Sequence, residues 1–294
     1  MSRRTRMNIK EILKKRMTLS FEVFPPKADR TLDNLADSLS HLYKLGPDFI
    51  SCTYGAGGSN VGRNREICQM IQESQQAVAI PHFTCIGNSE ATIKEQLEYY
   101  RSINIEHILA LRGDYPKGWE GTRGDFNYAN ELVRYIRKAY DDQFTIGVAA
   151  NPEKHIQSKN MKAEIAHFKV KVEAGADYAV TQLCFDMDQF RRWKDQVRAA
   201  GVDIPIIVGI MPITNKNGLI RMTIENNGCS IPRQVSEIIS KYGDNPEDFK
   251  KAGLDYTISQ IYDYIDEGVE GLHIYALNQW KTATTLCETT GIQR

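Results

Sequence analysis

The sequence has no long apolar run, no excess of charge of either sign and no paired cysteines, and each absence removes a class of function. Its longer apolar stretches, such as 204–213, are interrupted by proline and glycine and fall short of the roughly 20 residues a membrane span needs. Lys plus Arg and Asp plus Glu each number 37, so no global field draws nucleic acid or an anionic membrane to the chain. The six cysteines (Cys52, Cys68, Cys85, Cys184, Cys229 and Cys287) form no Cys-x-x-Cys pair, which argues against a zinc knuckle and against a disulfide framework. No helical His-x-x-x-His or His-Glu pair fixes metal ligands, so His82, His155, Glu22 and Asp114 are not expected to hold a metal. The basic residues of the first 16 positions are followed by no apolar core of a secretory signal, and no aromatic interleaves them. A cytoplasmic protein with a solvated, basic lead-in over 1–17 is the expectation.

What is present is an alternation. Short β-branched runs at 18–24, 49–53, 78–85, 107–111, 144–149, 178–184, 204–210 and 271–277 are each followed by a segment of helical period. The helical segments are 32–45, 63–75, 89–103, 128–140, 163–174, 187–200, 232–242, 255–267 and one from 279 onward. The strands are nearly continuous apolar runs, as a parallel sheet covered by helices demands, and eight βα units over 18–294 predict a single-domain α/β fold, a (β/α)8 TIM barrel. Gly46, Gly175, Gly201 and Gly268 fall where the helices should end. The stretch 215–248, with turn signals at Asn226-Asn227-Gly228 and Gly243-Asp244-Asn245-Pro246, reads as an elaborated βα loop with an extra helix.

In such a barrel the active site is built from the C-terminal strand ends, so polar residues there are the first suspects. Glu22 sits inside the apolar first strand just before Phe24-Pro25-Pro26; a carboxyl buried there should have a raised pKa and could act as a general acid, or be a salt-bridged structural residue. The turn from Thr53 and Tyr54 through Gly55, Gly57 and Gly58 could approach phosphates, although Asn60 breaks the dinucleotide fingerprint. Arg112 and Asp114 end the fourth strand, and the guanidinium could grip a phosphate. His82 and His155 flank barrel-top loops, and Gln182 offers an amide to a heterocycle edge. His41 and His107 are expected on element surfaces or edges, and Tyr256, Tyr262 and Tyr264 read as helix packing.

Taken in order, these segments resemble the methylenetetrahydrofolate reductase family over nearly the whole chain, from 19 to about 292. The matching pieces are Ser20-Phe21-Glu22 with Phe24-Pro25-Pro26, Thr53-Tyr54-Gly55-Ala56, Pro81-His82-Phe83-Thr84-Cys85-Ile86 and Ala110-Leu111-Arg112-Gly113-Asp114. They continue with Val148-Ala149-Ala150, Pro152-Glu153 and His155, Lys171-Val172 with Ala174-Gly175-Ala176, Thr181-Gln182 with Phe185-Asp186, and Tyr275 with Leu277-Asn278. The resemblance implies FAD at the barrel top, reduced by NADH or NADPH and reoxidised by 5,10-methylenetetrahydrofolate to give 5-methyltetrahydrofolate. It makes Glu22 the general acid that opens the folate's five-membered ring to an iminium, and puts Asp114 between flavin and folate. Gln182 and Gln279 fall at the substrate. The flavin set carries over as Thr53, Tyr54, Ala56, His82, Arg112, Gly113, Asp114, Tyr128, Ala129, His155, Glu164, His167 and Lys171, with Arg112 and Lys171 suited to the phosphates. A homo-oligomer is also implied.

The chain departs from the family pattern at Asn151, where an aromatic Tyr usually meets the flavin, and at Gly218, Met222 and Gln279, where Gln, Phe and Arg are usual. Glu164 replaces a usual Asp, and His167 stands near a usual Asn. These changes leave room for electrons delivered by a partner subunit instead of free NADH. A rival from another class is a flavin-free folate-binding or lyase barrel with Lys171 as a Schiff-base nucleophile.

Overall fold

Each β-branched run forms a strand buried along nearly its whole length, because a parallel sheet covered by helices has no wet face. The computed structural model describes residues 8–26, 31–54, 61–115, 118–119, 123–223 and 229–294. Ala56, the glycine turn around it and the Asn226-Asn227-Gly228 signal lie outside the described residues. The strands are β1 (Thr18–Val23), β2 (Phe49–Cys52), β3 (Val78–Thr84), β4 (His107–Leu111), β5 (Thr145–Ala150), β6 (Tyr178–Thr181), β7 (Ile206–Ile210) and β8 (Gly271–Tyr275). They pair in chain order, all parallel, and β8 closes on β1 through Ser20↔His273 and Glu22↔Tyr275, giving the expected (β/α)8 barrel.

The helices among the described residues are α1 (Ile9–Leu13), α2 (Asp33–Tyr43), α3 (Val61–Ser74), α4 (Glu90–Ser102), α5 (Ala129–Tyr140) and α6 (Met161–Glu173). They continue as α7 (Met187–Ala199), α8 (Lys216–Ile220), α9 (Arg233–Tyr242), α10 (Pro246–Asp266) and α11 (Trp280–Thr290). Among the described residues no helix is long and apolar enough to cross a membrane. Local chemistry sets the helix starts: Ser89, Asn160 and Asp186 accept first-turn N–H groups of α4, α6 and α7. α10 begins nine residues before its apolar period predicts, at 246 instead of 255. Asn245 caps the N–H groups of Glu247 and Asp248, and Pro246 occupies the first turn, where its missing N–H is not needed. The insertion expected over 215–248 holds α8 and α9.

Apolar side chains form two main layers. One lies between the helices and the outer strand faces, with Leu39, Ile67, Leu97, Ile136, Phe168, Trp193 and Leu286 among its members. The other fills the lower barrel interior, where Phe49, Ile80, Leu109, Tyr178, Val180 and Ile207 meet Ile9, Ile12 and Leu13 of α1. The lead-in is therefore not wholly solvated: its basic side stays wet while three apolar side chains plug the barrel floor. His107, expected at an edge, accepts the Ile9 N–H on Nε2 at 3.2 Å.

Three carboxylates staple the same floor. Asp48, Asp177 and Glu270 accept the N–H groups of Leu19, Ile146 and Ile206 at 3.0, 2.8 and 3.0 Å. Each also meets an arginine: Arg16 and Arg294 at Asp48, Arg137 at Asp177, and Arg198 at Glu270. The C-terminal strand ends, at the opposite face, are left free for a site.

Candidate active site

The upper strand ends open into a cleft of about 670 Å³, within the size range of small-molecule sites. Glu22, His82, Asp114, His155 and Gln182 line it, together with Asn151, Glu153, Met222 and Leu277.

Glu22 forms part of the floor, its side chain 15% exposed, with Oε2 3.2 Å from His82 Nε2 and 3.9 Å from His273 Nε2. Burial pushes its pKa up, but the His273 and His82 imidazoles beside it outweigh burial and hold the carboxyl at about 2. This overturns the expectation of a raised pKa. The first strand is apolar taken alone, but β3 and β8 each set an imidazole beside its carboxylate. Burial pushes His273 toward its neutral form. Its ring is oriented by two hydroxyls, Ser20 Oγ at 2.8 Å from Nδ1 and Ser51 Oγ at 3.2 Å from Nε2. Sequence reasoning misses His273, because one histidine within Gly271-Leu272-His273-Ile274-Tyr275 reads as core. The available signal is the pleat: Ser20 and Glu22 share one strand face, and their register partners are His273 and Tyr275.

The β4 wall depends on Gly113, whose φ is +89° and whose added Cβ would stand 2.9 Å from Ile86 Cγ2. This turn leaves Asp114 exposed beside the cleft. It also lets the Arg112 guanidinium donate to Gln157 Oε1 at 2.6 Å while lying 5.0 Å from the Tyr115 ring centre. On the β5 side, Glu164 is buried and accepts from Asn151 Nδ2 at 2.7 Å, the His155 N–H at 3.1 Å and Ser158 Oγ at 2.5 Å. Burial raises its pKa, but these bonds and the charge of Lys171 lower it on balance. Glu164 thus organises the β5–α6 loop from within. Lys171 donates to the Ala149 carbonyl at 2.5 Å; burial pushes its pKa down to about 8 against the pull of Glu164. Burial and then Arg112 push His155 below its ordinary value.

Gln182 follows β6, with its N–H on the Ala150 carbonyl at 2.8 Å and its side chain exposed at the cleft. The strand end is fixed from beneath: Tyr275 Oη donates to the Thr181 carbonyl at 2.7 Å and the Gly209 N–H to Thr181 Oγ1 at 2.9 Å. A Cβ on Gly209 would fall 2.3 Å from Tyr275 Oη, so only glycine admits this phenol. From outside, Tyr264 Oη and Gln260 Nε2 of α10 donate to the Cys184 carbonyl at 3.0 and 2.7 Å.

The remaining sequence candidates stand apart from the cleft lining. Thr53 is half-buried at the end of β2, and Tyr54 is buried with Oη on Gln96 Oε1 at 2.5 Å, toward α4. Tyr128 is exposed where α5 starts, with Ala129 beside it. His167 is exposed on α6, and Gln279 is exposed at the N-cap of α11. Among the described residues no group of three or more His, Cys, Asp or Glu side chains is placed to hold a metal.

Comparison with known proteins places this geometry in a lineage. The chain matches the family described as methylenetetrahydrofolate reductase over residues 6–291. Methylenetetrahydrofolate reductase 1 of Schizosaccharomyces pombe is 36% identical over 282 residues, covering 95% of this chain and 47% of that protein. The 5,10-methylenetetrahydrofolate reductase of Pectobacterium carotovorum is 34% identical over 281 residues, covering 96% and 92%. The chain thus spans about half the length of the yeast relative and nearly all of the bacterial one. A Clostridium thermocellum protein that binds two copies of 5-methyl-5,6,7,8-tetrahydrofolic acid superposes with a TM-score of 0.62 at 14% identity, covering 97% and 99%, a likeness of fold alone. With the family matched from end to end of the barrel and a bacterial member paralleled over almost its full length, the chain belongs to the methylenetetrahydrofolate reductase family.

Proposed function

We propose that this chain reduces 5,10-methylenetetrahydrofolate to 5-methyltetrahydrofolate, with FAD as its redox group and NAD(P)H as donor. The observation that carries the reading is Glu22: a carboxylate sunk between two imidazoles on the floor of a cleft whose walls carry Asp114 and Gln182. The site suits a flavin. His82 Nε2 is buried without an aligned hydrogen-bond partner, so it can serve a ligand, and the cleft wall mixes such groups with Leu109, Leu111 and Ala149. His82, Asp114 and His155 would hold the flavin from the wall, with Arg112 and Lys171 as the cations for its phosphates. Bound FAD supplies two-electron hydride chemistry between nicotinamide and folate.

The chain's own residues supply proton and charge control. Glu22 rests ionised, and burial is the largest single influence pushing it upward; a pterin that seals the cleft adds to that influence and favours a proton on the carboxyl, which Glu22 then gives to the folate's one-carbon ring nitrogen. His273, oriented by Ser20 and Ser51, fixes the carboxylate. Asp114 places negative charge where the opened ring is cationic, and the Gln182 amide binds the pterin edge through a donor and an acceptor together.

Asn151 favours a second source of electrons. Its amide turns back to Glu164 at 2.7 Å and presents no ring to a flavin, which suits delivery by a partner subunit. An anaerobic titration at about 450 nm, the flavin band, separates the cases. Bleaching by NADH and recovery with methylenetetrahydrofolate support the direct route. Recovery after dithionite reduction, with no bleaching by NADH or NADPH, supports a partner. A protein that binds no flavin at all sinks both and returns the Lys171 lyase.

A further inference from the structure

We propose that Glu153 is a positioning residue for the folate: its carboxylate ties the β5 wall of the cleft to the β7 insertion and so sets substrate affinity. This rests on the function proposed above. Glu153 stands between Asn151 and His155 and itself lines the cleft. Its Oε2 accepts the Ser230 N–H at 2.7 Å, and its Oε1 accepts from Cys229 Sγ at 3.1 Å. Cys229 is 8% exposed, and its own N–H donates to the Thr223 carbonyl at 2.9 Å. Met222, next to Thr223, lines the same cleft. One carboxylate therefore joins the loop that carries Asn151 and His155 to the segment that carries Met222, across a span of 77 positions.

Glu153 makes these bonds at the rim, with Cys184 as a further neighbour and no contact to Glu22 among them, so cutting them should loosen the grip on substrate and leave the proton step intact. Two hydrogen bonds of ordinary net strength correspond to about a tenfold change in affinity. The same geometry predicts that Gln at 153 suffices: its carbonyl accepts the Ser230 N–H and its amide can face the Cys229 sulfur.

The test is steady-state and rapid-reaction kinetics of Glu153→Ala, Glu153→Gln and Cys229→Ala in the flavin-loaded full chain. Expected are a KM for methylenetetrahydrofolate raised about tenfold in Glu153→Ala, with kcat and the rate of flavin reduction within about twofold of the parent. Glu153→Gln should restore KM to within about twofold, and Cys229→Ala should raise it about threefold. A parental KM in Glu153→Ala, a Gln variant as impaired as the Ala variant, or kcat falling in step with the rise in KM overturns the proposal. Should Glu153→Ala not fold, a parental KM in folded Cys229→Ala overturns it equally. A parent chain that turns over no folate is a different result: the proposed function itself then fails, and this role with it.

Discussion

The two ends of the barrel bury charge in opposite ways. At the floor, Asp48, Asp177 and Glu270 each accept a strand N–H and face at least one arginine, and α1 seals the interior with Ile9, Ile12 and Leu13. At the mouth, Glu22 sits beside a histidine whose Nε2 has no aligned partner, Asp114 and Gln182 are exposed at the cleft, and Lys171, bonded to the Ala149 carbonyl of the neighbouring strand, is pushed down to about 8. Buried polar groups are normally satisfied; at the floor the described atoms left without a partner, Thr18 Oγ1 and Tyr178 Oη, are uncharged hydroxyls, whereas at the mouth it is the imidazole of His82, beside a carboxylate and on a cleft wall, where a ligand can complete it. The floor ties the strands together, and the mouth carries the polar groups on which the proposed function rests.

Substitutions that should damage one end and spare the other test this division. The largest effect is expected at the mouth: Glu22→Gln should lower folate turnover by about three orders of magnitude, as loss of a general acid does. Flavin reduction by the donor should stay near parental, and parental folate turnover would refute the assignment. The variant should also change acid stability. With its folded pKa at about 2 against an ordinary 4.5, Glu22 stabilises the fold fully above about pH 4.5 and progressively less as the pH falls to 2. Acid unfolding of Glu22→Gln should lack that part of the curve. At the floor, Asp48→Ala leaves Arg16 and Arg294 facing no carboxylate and the Leu19 N–H without its acceptor, and should cost about 3 kcal/mol in urea unfolding while kcat is unchanged. Ile12→Ala, which hollows the plug, should cost about 2 to 3 kcal/mol, again with parental kcat. A kcat that drops with either floor variant would dissolve the contrast.

The same contrast explains what could be read from residues alone. Strand positions were legible because a covered parallel sheet makes each strand a mostly apolar run, and Glu22 within the first run and Asp114 and Gln182 just past two others stood out at the strand ends. The protonation state of Glu22 was not legible. It depends on His82 and His273, which lie 60 and more positions away in the chain and arrive only when β3 and β8 close around β1. The plug was hidden for a related reason: five residues of α1 carry too little periodicity to announce a buried face, and the seven basic residues around them suggest solvent. For Tyr54 the motif names the residue, and the direction of its phenol, toward Gln96, comes only with the fold.

Lys171 offers the subtlest test, because it sets stability against function at one side chain. Its folded pKa of about 8 lies below the ordinary 10.5, so the protonated form is disfavoured by folding. That penalty is present in full below pH 8 and fades as the pH rises to 10.5, where the unfolded chain also loses the proton. Lys171→Met removes the penalty, at the expense of the hydrogen bond to the Ala149 carbonyl. Allowing for partial contact with solvent, the variant should be about 1 to 2 kcal/mol more stable at pH 7 by urea unfolding, and the gain should shrink toward zero near pH 10.5. If Lys171 serves the flavin's phosphates, the stabilised variant should bind FAD about tenfold more weakly, read by fluorescence quenching on titration. A variant that gains no stability would show that solvent reaches the ammonium freely. One that gains stability and keeps full FAD affinity would mean that this buried cation is held for some other partner.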